Sequence, residues 1–179
     1  MPEVTLVRGA VTLRAFREEE FAAVAEALSK LSGDVAPEGR PDPALLREKL
    51  LGSGRLADGR IDLAIEFEHR LAGQIQARVP TERDVPPGFY SLGIVLYEEI
   101  DRGRGLGRIA LRLLVDWLFE QDGTEALQAE TGLSNEPMRK LLRTLGFEEG
   151  ERIDVFGLDD SVFELTRTGW EASAQTRSE

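Results

Sequence analysis

Three glycines and three arginines alternate in the segment Asp101–Leu114, immediately before an apolar stretch of helical period. Gly103, Gly105 and Gly107 lack a Cβ atom, so the chain can point successive N–H groups into one concavity. A helix that begins near Gly105 adds unpaired N–H groups and the positive end of its dipole. The segment therefore predicts an anion-binding turn that leads directly into a helix.

Arg102, Arg104 and Arg108 supply positive charge to this turn, in a chain that is otherwise strongly acidic. There are 22 basic and 33 acidic side chains, and the formal net charge is −11. Such a charge repels a nucleic-acid backbone at long range, so nucleic acid is not an expected partner. It would favour a cationic substrate such as an amine, although acidity alone is more often a matter of solubility.

The spacing of the glycines excludes two well-known phosphate loops. A dinucleotide-binding fingerprint that starts at Gly103 needs a glycine at position 108, where the chain has Arg108. A P-loop ends in Gly-Lys-Ser/Thr, but Gly107 is followed by Arg108 and Ile109. What remains is the pattern Arg102-x-x-Gly105-x-Gly107, which taken by itself could also be a glycine-rich surface turn with solvated arginines.

This pattern resembles the acetyl-CoA pyrophosphate loop, R/Q-x-x-G-x-G/A, of the GCN5-related N-acetyltransferase (GNAT) family. A second segment, Thr131–Phe147, resembles the same family's asparagine-containing turn, helix and terminal Gly-Phe. The resemblance covers roughly Leu71–Leu165. It implies an α/β (α+β) fold with a mixed, mostly antiparallel central sheet flanked by helices. Its two central strands, Phe89–Tyr97 and Leu127–Thr131, are expected to splay apart.

The resemblance also implies which residues bind acetyl-CoA as the acyl donor. The residues expected at the pyrophosphate are Arg102, Arg104, Gly105 and Gly107, with Arg108 adding charge. Backbone groups of Val95 and Leu96 are expected to pair with the pantetheine arm. That placement could shift by one residue, because Tyr97–Asp101 could be one residue longer than the common pattern.

The second segment offers further contacts to the donor. Asn135 matches the family asparagine that hydrogen-bonds the pantetheine, although an asparagine before a helix is also a good N-cap. Arg139 and Lys140 could reach the adenosine 3′-phosphate or could form a solvated helix face.

The catalytic acid is where the chain departs from the family pattern. Many members have a tyrosine five residues before the phenylalanine of Gly-Phe, and that position is Leu142. The ribosomal-protein N-terminal acetyltransferases, the branch that the chain resembles, have a serine three residues after the asparagine, and that position is Met138. Thiolate protonation must then use water, a backbone group or a side chain from another strand. The candidate catalytic residues on core strands are Glu66, Tyr90 and Glu130.

Length and composition predict a single domain and favour a reducing cellular compartment. The domain is expected to span residues 1–170, with a frayed tail at Glu171–Glu179. The chain has no cysteine, which excludes disulfides and thiolate metal sites and favours a reducing compartment. The N-terminus lacks a signal pattern, and the most apolar run, Ile109–Phe119, is interrupted by Arg112 and Asp116. We therefore expect a cytoplasmic protein without a metal site.

Apolar periodicity predicts the remaining elements. Helices are expected at Glu18–Leu31, from Asp42 and Pro43 to Leu51, at Gly105–Glu120 and at Asn135–Leu145. The short runs Val4–Val7 and Val11–Arg14 predict one strand or a hairpin. Hairpins are expected from Ile61–Phe67 with Leu71–Val79 and from Ile153–Phe156 with Val162–Leu165. Connections are expected at Ala36–Pro43, Pro80–Gly88 and Gly157–Asp160. The only histidine, His69, falls in the second hairpin's turn, Glu68–Arg70, and is interpreted as a solvated turn residue.

The resemblance thus implies an acetyl-CoA-dependent N-acetyltransferase in which an amine attacks the thioester directly in a ternary complex. The acceptor could be a small amine, including an amine-bearing antibiotic, or a protein N-terminus. The alternative is a non-catalytic acyl-CoA-binding sensor or scaffold, and a purely oligomeric module has no specific support. The expected partners are acetyl-CoA and an amine acceptor, without nucleic acid or membrane, in a monomer or homodimer.

Overall fold

The computed structural model describes residues 3–31, 42–81, 85–155 and 158–176. Its elements in chain order are β1 (Leu6–Arg8), β2 (Val11–Arg14), α1 (Phe21–Lys30), α2 (Pro43–Leu51), β3 (Arg60–Phe67), β4 (Arg70–Arg78), β5 (Phe89–Leu96), α3 (Leu106–Glu120), β6 (Ala126–Gly132), α4 (Glu136–Thr144), β7 (Glu148–Val155), β8 (Leu158–Thr166) and α5 (Arg167–Thr176). Short 3₁₀ turns at Glu18–Glu20 and Glu99–Asp101 precede α1 and α3. Three predicted connections fall partly outside the described residues, at positions 36–41, 82–84 and 157.

The strands form an 8-stranded sheet in the order β1-β2-β3-β4-β5-β6-β8-β7. β5 and β6 pair in parallel, whereas β1 with β2, β2 with β3, β6 with β8, and β7 with β8 pair antiparallel. The predicted mixed, mostly antiparallel α/β sheet is confirmed. The parallel register runs from Phe89–Ala126 to Leu92–Ala129, and the last residues of β5 lie beyond it.

The chain divides into two compact units, which are described separately below. The first unit comprises Met1–Ala77 and Ile94–Leu113, and the second comprises Arg78–Gly93 and Leu114–Glu179. Among the described residues, no helix combines the length and apolarity that crossing a bilayer requires.

The first unit has a core beneath α1 and α2. Val24 of α1, Leu46 and Leu50 of α2, and Ala64 of β3 are buried there together with Phe16. Helix α2 begins as predicted, because the Asp42 carboxylate accepts hydrogen bonds from the N–H groups of Ala44 and Leu45.

The β3–β4 hairpin is tighter than the sequence analysis predicted. Its turn is Glu68 and His69 alone, with φ of 50° and 66°, so Arg70 is already the first residue of β4. Two consecutive left-handed residues match the twist of a two-residue hairpin turn, which explains the shorter break. The turn position of His69 agrees with the sequence prediction.

The second unit packs α4 and α5 around β6 and β8. Helix α4 ends at Thr144 and is followed, as predicted, by a left-handed Gly146 with φ of 95°. The N–H of Phe147 bonds to the carbonyl of Leu142 at 3.0 Å. Phe147, Phe163 and Leu127 are buried in this unit.

Helix α5 occupies the first part of the segment that we expected to be frayed. Its Trp170 ring stacks on Phe119, with the ring centroids 5.2 Å apart, and Trp170 Nε1 donates to Asp116 Oδ1 at 2.9 Å. Arg167 Nε also donates to the carbonyl of Thr124 at 2.8 Å. The helix is retained because these long-range contacts compensate for a weakly helical sequence.

Gly88 and Gly123 allow a test of close packing within the second unit. Both have positive φ, 81° and 83°, but an added Cβ at Gly88 would lie 1.9 Å from the Gly123 carbonyl oxygen, whereas one at Gly123 would meet nothing within 4 Å. G123A should lower the free energy of unfolding by about 1 kcal/mol, and G88A by about 2–4 kcal/mol, because only G88A adds overpacking to backbone strain. Urea denaturation of both variants measures the difference, and equal losses would contradict the close approach.

Candidate functional site

The glycine-rich loop lies between the 3₁₀ turn Glu99–Asp101 and helix α3. Gly103 and Gly105 have φ of 72° and 83°, a region that L-residues with side chains avoid. The carbonyl of Gly105 accepts the first helical hydrogen bond, from Ile109 N–H at 3.0 Å. A Cβ added at Gly103 or Gly105 would meet no atom within 4 Å, so the surface beside both residues is open to a ligand.

The three loop arginines are all exposed, but they differ in their contacts. Arg104 lies over the ring of Phe67, with its Cζ 4.9 Å from the centroid, and its Nη1 is 3.8 Å from Asp101 Oδ1. The side chains of Arg102 and Arg108 make no hydrogen bond or ion pair with another residue in the described part of the chain. Two of the arginines are therefore available to an anion, and one is already engaged.

Asp101, the residue before the loop, is completely buried. Arg70 Nη1 donates to its Oδ2 at 2.8 Å, and Arg70 Nη2 donates to its Oδ1. The hydrogen bonds from Arg70 lower the pKa of Asp101 against the opposing effect of burial, and the charges of Arg70 and Arg104 add to this. The sequence analysis missed this pairing. The available signal was an acidic residue placed directly before an arginine-rich loop.

The end of β5 lies against β4 at unusually short range. A Cβ on Gly73 would fall 2.2 Å from the Val95 carbonyl oxygen and 3.1 Å from Leu96 Cα. The N–H of Tyr97 bonds to the Ala72 carbonyl at 3.0 Å. Gly73 therefore sets the position of the backbone at Val95 and Leu96, the two residues predicted to pair with the pantetheine.

Tyr97 is a half-buried residue whose hydroxyl the sequence analysis did not consider. Its OH donates to Gln74 Oε1 at 3.1 Å. Burial raises the pKa of Tyr97 above its usual value, and the negative charge of Glu20 raises it further. The phenol is therefore protonated throughout the neutral range.

The candidate base Glu66 belongs to a cluster of four charged side chains. Its Oε2 accepts from Arg14 Nε at 2.8 Å and from Arg17 Nη2 at 3.0 Å. Arg14 also bonds to Glu20 through Nη1 and Nη2, at 2.9 and 2.6 Å. Burial raises the pKa of Glu20, but hydrogen bonds from Arg14 and from the Arg17 N–H lower it by more.

The other two candidate catalytic residues lie on β5 and β6 of the second unit. Tyr90 is half-buried and stands opposite Leu127 in the parallel register. Glu130 is exposed and stands opposite Val162 of β8. A catalytic role for these two residues and for Glu66 stays a prediction.

Asn135 is the N-cap of α4. Its Oδ1 accepts a hydrogen bond from the Met138 N–H at 3.3 Å, which leaves the side-chain amide group for another partner. Within α4, Leu142 has no exposed surface and Met138 is half-buried. The two positions at which the family resemblance would place a catalytic hydroxyl are thus occupied by apolar side chains, one of them in the core.

Arg139 is engaged in an ion-pair network. Its Nη2 bonds to Glu149 Oε1 at 2.7 Å and its Nη1 to Glu136 Oε2 at 3.0 Å. Arg143 Nη2 bonds to the other Glu149 oxygen at 2.6 Å, and Ser161 donates to Oε1 at 2.8 Å. These contacts favour a structural role for Arg139 over the 3′-phosphate contact, whereas Lys140 is exposed.

The Glu149 network predicts a pH-dependent stability. Hydrogen bonds from Arg143, Arg139 and Ser161 lower the pKa of Glu149 from 4.5 to about 2. A lowered folded-state pKa stabilises the protein above the unfolded-state pKa, and this contribution is lost as the pH falls from 4.5 towards 2. E149Q should therefore lower the thermal unfolding midpoint at pH 7, and its difference from the wild type should shrink below pH 4.5. E148Q, at the exposed neighbouring residue, is the control, and a pH-independent difference for E149Q would contradict the assignment.

Comparison with known proteins identifies the family. The family model described as "Acetyltransferase (GNAT) domain" matches residues 10–148. No curated protein matches the sequence significantly. The matching solved structures include aminoglycoside acetyltransferase AAC(6')-Ib in complex with coenzyme A and kanamycin, which is 23% identical, covers 92% of this chain and 99% of its own, and has a TM-score of 0.74.

Two further solved structures share the fold at lower identity. RimL, the ribosomal L7/L12 α-N-protein acetyltransferase, in complex with coenzyme A, is 16% identical, with coverages of 91% and 98% and a TM-score of 0.73. A GNAT-family acetyltransferase from Bacillus anthracis is 16% identical, with coverages of 92% and 99% and a TM-score of 0.73. Because the family model spans well over half of the sequence, this chain belongs to the GNAT acetyltransferase family.

Proposed function

We propose that the protein transfers the acetyl group of acetyl-CoA to a primary amine. The observation that carries this proposal is the loop before α3, where the surface beside Gly103 and Gly105 is open and the side chains of Arg102 and Arg108 have no partner among the described residues. A pyrophosphate presents charged oxygens that suit guanidinium donors and the N–H groups at a helix start. The residues present therefore fit the diphosphate portion of coenzyme A.

The comparisons support both the donor and the kind of acceptor. AAC(6')-Ib was crystallised with coenzyme A and kanamycin, an aminoglycoside, and RimL is described as acting on a protein N-terminus. Both acceptor classes present an amine. The strongly acidic composition of this chain, with a net charge of −11, favours cationic acceptors of either class.

The proposed reaction joins the neutral amine nitrogen of the acceptor to the acetyl carbonyl carbon. The carbon–sulfur bond breaks, the nitrogen loses one proton, and the sulfur leaves as a thiolate that gains one proton. Glu66 is poorly suited to accept the amine proton, because its Oε2 already holds two guanidinium groups. Tyr90 and Glu130 remain the other candidates, and we propose that solvent takes up the proton if neither does.

The rival function is an acyl-CoA-binding sensor or scaffold without turnover. The apolar residues Leu142 and Met138, at positions that usually carry a hydroxyl, are the observation in its favour. Consumption of the thioester in the presence of an amine panel separates the two functions. Cytoplasmic residence and a monomeric or homodimeric state stay predictions.

Replacement of Gly105 tests the donor site. G105V should weaken coenzyme A binding at least tenfold, about 1.4 kcal/mol, because a branched side chain at positive φ disturbs the turn and fills the open surface. G9V is the matched control, since Gly9 also has a positive φ, 61°, and open space around it, but lies in the β1–β2 turn. Calorimetric titration measures both, and an unchanged dissociation constant for folded G105V would exclude this loop as the phosphate site.

The pH dependence of turnover tests the mechanism. A lysine-like amine with a pKa of about 10.4 is neutral at pH 7 in roughly one molecule in 2,500, a cost of about 4.6 kcal/mol, whereas an α-amine with a pKa of about 8 costs about 1.4 kcal/mol. Without an enzymic base, acceptors of low amine pKa should react faster, and kcat/KM should level off near each amine's own pKa. Profiles for two acceptors of different pKa decide this. One shared inflection, independent of the acceptor, would show that a residue such as Glu66 or Glu130 acts as the base.

A further inference from the structure

The buried carboxylate of Asp101 immediately precedes an anion-binding loop, which is an unfavourable place for a negative charge. The Asp101 carboxylate has no exposed surface. The free-energy cost of removing it from water is offset by bidentate hydrogen bonds from Arg70, at the start of β4. Because Asp101 directly precedes the loop, its negative charge opposes the binding of an anion there. The charge of an acidic residue there would by itself weaken anion binding. Any favourable contribution of Asp101 to anion binding must therefore come from the side chains that it positions.

The geometry concerns Arg104. Its guanidinium lies over the Phe67 ring at 4.9 Å and 3.8 Å from Asp101 Oδ1, while the Arg70 guanidinium lies 5.7 Å from the same ring. Arg104 stands between Gly103 and Gly105, the two residues of the loop with positive φ. Because glycines permit many backbone conformations, a fixed side chain between them restricts the turn.

We propose that Asp101 is a positioning residue for phosphate binding, which with Arg70 and Phe67 holds Arg104 and thereby the turn Arg102–Gly105. This inference rests on the proposed function of the loop. It reassigns Arg104 from a direct phosphate ligand to a support, and it leaves Arg102 and Arg108 as the arginines that contact the diphosphate.

The proposal and simple electrostatics predict opposite signs for one substitution. D101N removes a negative charge beside the loop, so an effect of charge alone would tighten the binding of coenzyme A. If Asp101 positions the turn, D101N instead weakens the hydrogen bonds from Arg70 and the contact with Arg104. The dissociation constant for coenzyme A then rises. We expect a rise of at least fivefold, measured by calorimetric titration of the full chain with coenzyme A.

Hydrogen exchange supplies a measurement that needs no ligand. In the free protein, D101N should speed amide exchange at positions 102–108 relative to the wild type. R70K is the second variant, because it keeps the positive charge but loses the bidentate geometry. It should show the same two effects, and it decides the question if D101N does not fold.

The matched control is D62N. Asp62 is also a buried acid of the first unit, bonded by Arg60 Nη2 at 3.0 Å and lying 3.2 Å from Lys49 Nζ. It stands on β3, and both of these partners lie outside the loop. D62N should lower the unfolding midpoint without changing coenzyme A binding. If D62N and D101N weaken coenzyme A binding equally, the effect of D101N is one of general destabilisation, and the proposal is overturned.

Other outcomes are equally decisive. Unchanged or tighter binding by folded D101N, or unchanged exchange at positions 102–108, would overturn the positioning role. A wild-type protein that does not bind coenzyme A would overturn the proposed function instead. The exchange comparison would then still show whether Asp101 holds the turn.

Discussion

The contact between Asp101 and Arg70 is the constraint on which the geometry of the candidate site depends. A carboxylate with no exposed surface requires a charged partner, and the partner here comes from the first residue of a strand far back in the sequence. The pair therefore ties the start of the loop to the β3–β4 hairpin. The same hairpin carries Gly73, whose missing side chain admits the backbone of Val95. One hairpin thus supports both predicted contacts to the donor, the phosphate loop and the end of β5.

Local signals in the sequence predicted the framework well. Some signals determine only the backbone within a few residues, such as a left-handed glycine, a proline at a helix start or a capping side chain. Their structural effect can therefore be predicted without knowing the fold. Asp42 before α2 and Gly146 after α4 have the predicted roles, and Asn135 caps α4, the alternative that the sequence analysis named beside pantetheine binding. The glycine pattern of the loop before α3 belongs to the same class of signal, which is why the family could be recognised.

Contacts between distant residues could not be predicted in this way. Nothing in the sequence connects Arg70 with Asp101, or Arg14 with Glu66, because each pair meets only once strands are in register. These same contacts change the interpretation of the site. They engage Arg104, a candidate from the family resemblance, and Glu66, a candidate from its place on a core strand. Helix α5 was missed for the same reason, since it depends on the packing of Trp170 against Phe119.

The two-residue turn of the β3–β4 hairpin gives the molecule a natural spectroscopic reporter. His69 is the only histidine, and it directly precedes the arginine that bonds to Asp101. Its imidazole ring would give a single, unambiguous pair of proton resonances in a spectrum of the unlabelled protein. A rearrangement of the glycine-rich loop that moves Arg70 would change the surroundings of the neighbouring His69 ring, so that the loop could be followed at one resolved signal without altering a residue.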